Sequence, residues 1–316
     1  MDKGDPLFKI HICGGKGGVG KTTSAVALAL HLAHSGQPTT IIDHDGGLSV
    51  SHTLNIGAGG TSNTIQEVGR NLSLVVIEPF DYRDIVEIKA ARMSLDKYLE
   101  QFPGHLGIIP WADMLFHFFG APTDVEGIQK FAVLVRTLAT LRQQGMTNVV
   151  IDVEPTTGLK RLLSGSKSMT RSLCNLGQTG WLMLQVLGAK WPEIAGYLKS
   201  DYLAKIKTYS QVVQESVDAL TQAPFFLVCT PELGAIRQLD EVRSIVEGVG
   251  GKVHGYVVNA IRGLPYEERN LAPLLSKGLP VTRIPWRTEL HYASVGHDKI
   301  LLEIGAEIAE LVAKSQ

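Results

Sequence analysis

Gly14-Gly15-Lys16-Gly17-Gly18-Val19-Gly20-Lys21-Thr22-Thr23 is the stretch from which the rest of the chain can be read. Before it runs an apolar segment, Phe8–Cys13, with the composition of a buried strand. After it, Thr22–Ser35 places Ala25, Leu28, Ala29 and Leu32 on one face of a helix. Glycines between a strand and a helix let successive backbone N–H groups turn inward around an anion, and the helix N-terminus adds positive potential. The spacing Gly15-x-x-x-x-Gly20-Lys21-Thr22 is that of a phosphate loop in the context such a loop requires. Gly15, Gly17, Gly18, Val19, Gly20 and Thr23 form the cradle, Lys21 reaches the β- and γ-phosphates of ATP, and Thr22 is a ligand of Mg²⁺.

Outward from the loop, short Val/Ile/Leu-rich runs alternate with helical patterns. The predicted strands are Phe8–Cys13, Thr39–Asp43, Leu72–Ile77, Asn148–Asp152, Phe225–Cys229, Val253–Asn259 and Pro280–Ile284. Their near-continuous apolarity is expected of strands covered on both faces. Thr123-x-x-Glu126 reads as a capping box that opens a helix to about Gln144, and Thr230-Pro231 as an N-cap followed by Pro. The alternation predicts an α/β, doubly wound, mostly parallel sheet. About 70 residues between Asp152 and Phe225 carry no strand signal, too many for a simple crossover, and Lys190–Gln222 reads as helix. The expected organisation is a nucleotide-binding core over residues 1–163, a helical insertion over 164–223 and the rest of the core over 224–316.

Composition narrows the function. Thirty basic residues against 31 acidic give a net charge of −1, which argues against nucleic acid held by bulk charge. The three cysteines, Cys13, Cys174 and Cys229, include no CxxC pair and fit a reducing, cytoplasmic compartment. The uncharged stretch Ser172–Ala189 is too polar for a membrane span.

Acidic residues complete the site. Asp43-His44-Asp45 follows a strand on the ligand side of such a sheet. Asp45 is assigned the catalytic, water-orienting or Mg²⁺-linked role, with Asp43 its rival. Asn148-Val-Val-Ile-Asp152 is an apolar strand ending in a carboxylate beside the metal.

The loop's second lysine, Lys16, resembles the deviant Walker A of the MinD, ParA, nitrogenase iron protein and ArsA superfamily. Asp152-Val-Glu-Pro155-Thr156-Thr-Gly-Leu-Lys-Arg161-Leu162-Leu163 is similar to switch II of the ArsA and tail-anchored-protein targeting ATPases, with Glu154 and Gly158 departing from it. Gly120–Glu126, Phe225–Glu232, Val253–Asn259 and Ile284-Pro285-Trp286 resemble further stretches of that family. The resemblance implies a homodimer closed by ATP, with Lys16 and Lys21 catalytic and Lys16 reaching the partner's triphosphate. It implies that Asn259, Pro285 and Trp286 hold the adenine. It implies work on a hydrophobic client helix or a membrane transporter subunit, with Trp181-Leu-Met-Leu184 either a client surface or core. His52 falls where the family has its water-positioning aspartate and is read either as a slow base or as a surface histidine, so slow turnover is expected. The alternative reading is a MinD/ParA-like spatial organiser. The acidic face of the last helix, Glu303, Glu307 and Glu310, argues against a membrane tail there.

Overall fold

The computed structural model describes residues 8–46, 49–57, 62–78, 125–153, 158–160, 203–290 and 297–314, and the single positions 162, 166, 170, 171, 174, 178, 181 and 185. Thr123, Glu154–Thr157, Arg161, Leu163 and most of the 172–202 stretch lie outside these. The chain divides into two compact units: Met1–Glu78 with Thr137–Leu163 and Ala219–Gln316, and Pro79–Arg136 with Ser164–Asp218.

Among the described residues, one sheet of eight strands organises the first unit. The strands are β1 (Lys9–Gly15), β2 (Thr39–Asp43), β3 (Gln66–Gly69), β4 (Leu72–Val76), β5 (Asn148–Asp152), β6 (Pro224–Cys229), β7 (Lys252–Ile261) and β8 (Val281–Pro285). Their order is β3-β4-β2-β5-β1-β6-β7-β8. Every pairing is parallel except β3 with β4. The central strands β2 and β5 are buried at every position, which is why their sequences read as unbroken apolar runs. The chain leaves β1 toward β2 on one side and leaves β5 toward β6 on the other. The chain also leaves β6 toward β7 on that other side, so the adjacent strands β1 and β6 send their connections in opposite directions, and the crevice at their carboxyl ends is the topological switch point, where open α/β sheets place ligands.

Among the described residues the helices include α1 (Lys21–His34), α2 (Ser49–Thr53), α3 (Val125–Gln143), α4 (Leu203–Gln222), α5 (Leu233–Glu247), α6 (Pro265–Leu275) and α7 (His297–Lys314). None among the described residues is long and apolar enough to cross a membrane. The helix start expected at Thr230-Pro231 lies two residues further on: α5 begins at Leu233 and Glu232 is its N-cap. Thr230 and Pro231 belong instead to the loop leaving β6.

α7 packs on α1. Leu301, Ile304, Ile308 and Leu311 are all buried, so the stripe read in the sequence is internal. At Gly305 the two backbones meet: a Cβ there would run into the Ala27 carbonyl, with His31 Cβ only 2.7 Å away. Gly305→Val is expected to destabilise the protein by about 3 kcal/mol or more through overpacking against a rigid backbone, read as a lowered urea midpoint.

His11, in the middle of β1, is 2% exposed. Burial first, and the charge of Lys9 second, push its pKa down to about 4, while Asn148 on β5 pulls the other way. Between about pH 6.5 and about pH 4 the unfolded chain binds a proton that the folded chain does not. Stability should therefore fall as pH falls through that window, by up to about 3 kcal/mol at its acid end. His11→Leu is expected to flatten this slope when denaturation midpoints are compared pH by pH.

Candidate functional site

The phosphate loop is built by close approach. Gly20, the N-cap of α1, has φ 91°, and a Cβ on it would collide with the Asn259 amide. It offers no side-chain cap, so the first-turn N–H groups of α1 stay available to an anion. Asn259, near the end of β7, donates its amide to the Val19 carbonyl at 3.0 Å and so ties the loop to the far side of the sheet. Gly15 and Val19 are buried, whereas Lys16, Gly17 and Gly18 are exposed.

Two carboxylates and a hydroxyl meet beneath the loop. Asp43 and Asp152 are register partners at the ends of β2 and β5. Thr22 donates its hydroxyl to Asp152 Oδ2 at 2.6 Å. Asp43 Oδ1 accepts the N–H groups of Asp45 and Gly46 at 3.1 and 3.2 Å. Asp152 Oδ1 and Asp43 Oδ2 are buried with no hydrogen-bond partner among the described residues. Burial, and for Asp43 the charge of Asp152, push the pKa of Asp43 up to about 7. Burial does the same to Asp152, up to about 6, against the opposing pull of Thr22 and Lys21. Orphaned carboxylate oxygens beside a threonine hydroxyl are a fitting donor set for Mg²⁺, a hard cation that prefers oxygen. Asp45 lies outside this pair. Its side chain is exposed and its N–H is spent on Asp43.

Lys21 is 7% exposed and donates to the Lys16 carbonyl at 3.1 Å. Burial lowers its pKa, while Asp152, Asp45 and Cys13 hold it up. A bound anion would restore the charge that burial disfavours. His52 sits on α2 and is exposed; the motif's Thr23 faces the cavity described next.

That cavity, of about 400 Å³, extends from the loop and is lined among others by Thr22, Thr23, Asn259, Arg262, Pro285 and Trp286. The sequence pointed to five of these; Arg262 it did not single out. A larger cavity of about 590 Å³ lies by Leu30, His34 and Arg70 at the other end of α1, with no phosphate-loop residue in its walls. Size alone does not make it the site.

A sequence model of the anion-transporting ATPases matches residues 8–277. The chain belongs to this ArsA ATPase family. It is accordingly an ATPase. The ATPase GET3C of Arabidopsis thaliana is 25% identical over 273 residues, covering 82% of this chain and 68% of that protein. The ATPase ASNA1 homolog 2 of Paramecium tetraurelia is 23% identical, covering 81% and 77%. A putative arsenical pump-driving ATPase 2 of Aquifex aeolicus is 22% identical, covering 80% of each. The family match stops before Pro285-Trp286, so for this ArsA-family ATPase those two residues rest on the cavity alone.

The raised carboxyls set a sign. In the folded, metal-free protein Asp43 and Asp152 keep protons that the unfolded chain has already released above about pH 4. That cost grows as pH rises through about 6 and about 7, and a divalent cation replacing the protons offsets it. With a non-hydrolysable ATP analogue present, Mg²⁺ should raise the thermal midpoint strongly near about pH 8 and little near about pH 5. EDTA should reverse the gain, and Asp152→Asn should abolish it.

Proposed function

We propose that this ATPase is a nucleotide-driven homodimeric switch. ATP would lie with its triphosphate on Gly15–Thr23 and its adenine in the cavity bounded by Asn259, Pro285 and Trp286. The observation carrying this reading is the cluster of buried Lys21 and Asp152 with half-buried Thr22 beneath an uncapped helix N-terminus, with Asp152 Oδ1 and Asp43 Oδ2 unpaired among the described residues. Thr22 and Asp152 would hold Mg²⁺, with Asp43 or Asp45 as the further carboxylate, and the bound cation would supply charge neutralisation to the β- and γ-phosphate oxygens. Lys21 lies against the same oxygens. Water attacks the γ-phosphorus in line, the bond to the β–γ bridging oxygen breaks, and its electrons leave with ADP.

Lys16 is the exposed cation of the loop. Two copies facing each other would bring two triphosphates together, an arrangement that repels unless positive charge lies between them. Lys16 is in a position to provide it. Trp181, 55% exposed, supports an apolar partner surface in the second unit. The output of the cycle is then handling of a hydrophobic helical segment or energising of an anion transporter. His52 in place of an acid on α2 makes the cycle slow.

Gel filtration and phosphate release test this on wild type, Lys16→Ala and His52→Asp. Lys16→Ala is expected to lose ATP-dependent dimerisation and about a hundredfold in turnover. His52→Asp is expected to gain turnover. A Lys16→Ala protein that dimerises and hydrolyses ATP like wild type would defeat the facing-dimer reading.

A further inference from the structure

One wall of the base cavity is built by nothing in the phosphate loop. The Arg262 guanidinium lies over the Trp286 ring, 4.3 Å from its centre, and both residues line the cavity. A guanidinium on an indole face makes a flat, polarisable platform, provided the backbone of each partner is fixed. Trp286 is fixed by its N–H, which donates to the Ile261 carbonyl at 2.8 Å. Arg262 comes just after the last register pair of β7 with β8, Ile261 with Pro285, and has no place in that ladder.

Glu267 fixes it. It is the third residue of α6, its side chain belongs to a residue only 2% exposed, and it reaches back along the incoming loop. Its two oxygens accept the Arg262 N–H at 3.0 and 3.2 Å. One of them also accepts Gly263 N–H at 2.8 Å and Leu264 N–H at 3.0 Å. Three consecutive backbone donors thus converge on one carboxylate. A glutamate at this helical position ordinarily bonds only the N-cap N–H, here that of Leu264. The two further donors are not needed to start a helix; they hold the residue stacked on Trp286. Upstream, Ala260 has φ 62°, a left-handed conformation that a non-glycine residue keeps only where its surroundings impose it. That turn sits at the register break between β7 and β8, one residue after Asn259.

We propose that Glu267 is a positioning residue of the nucleotide site: it holds Arg262 over Trp286 to form the platform for the purine, and so sets affinity for the nucleoside half of ATP independently of the triphosphate half. The inference rests on the reading that this cavity takes the base.

Calorimetric titration with a non-hydrolysable ATP analogue and with inorganic tripolyphosphate separates the two halves. Glu267→Gln keeps the shape but puts an NH₂ group against backbone donors. It is expected to weaken the analogue about tenfold and tripolyphosphate less than about twofold. Arg262→Ala should show the same selectivity. The double variant should be no more than about twofold worse than the poorer single one, because both act through one platform. In turnover the loss should appear in KM. Unchanged analogue affinity in Glu267→Gln, or equal loss of both ligands, overturns the proposal. A wild-type protein that binds tripolyphosphate as tightly as the analogue overturns the base reading itself, a separate result. Thermal midpoints of the variants show that each is folded.

Discussion

A single hydrogen bond joins the parts of this molecule that have to act together. The Thr22 hydroxyl on Asp152 ties the first turn of α1 to the end of β5, and so ties the phosphate cradle to the carboxylates. Around it the sheet is closed to water: Asp43 and Asp152 are both nearly fully buried. Burying two carboxyls side by side is unfavourable unless protons or a cation attend them. The fold accepts that cost because the strands presenting them are the most deeply covered in the sheet, and apolar burial there offsets it. Among the described residues Asp43 Oδ2 and Asp152 Oδ1 have no hydrogen-bond partner, so a proton or a cation is needed to offset their burial.

The sequence revealed most where burial is complete. β2 and β5 agree with their expected limits to the residue, because a strand covered on both faces leaves an unbroken apolar run. β3 was not read. Gln66–Gly69 is short and half exposed, and it lies antiparallel at the sheet edge, so it has neither length nor continuity to announce it. Thr230-Pro231 carries a helix-start signature, yet the chain needs those residues to leave β6, and the helix waits for Leu233. There local propensity lost to tertiary demand.

The site shows the same division. The phosphate loop could be recognised because its glycines, lysine and threonine are contiguous. Asp43 closes β2 and is buried, while Asp45 lies beyond the strand with its side chain exposed, a difference that the sequence Asp43-His44-Asp45 does not announce. Arg262 and Glu267 left no sequence signal as site residues. Pro265 and Glu267 look like an ordinary helix start, and their relation to Trp286 exists only once β7 and β8 are paired.

The contact between Gly305 and Ala27 bears on how the molecule comes into being. α1 carries the phosphate loop, yet one of its faces is covered by α7, the last helix described. During synthesis more than 260 residues must follow α1 before that face finds its cover. Pairings so distant in sequence form late and leave apolar surface open in the meantime. The phosphate loop is thus synthesised well before the helix that completes the framework behind it.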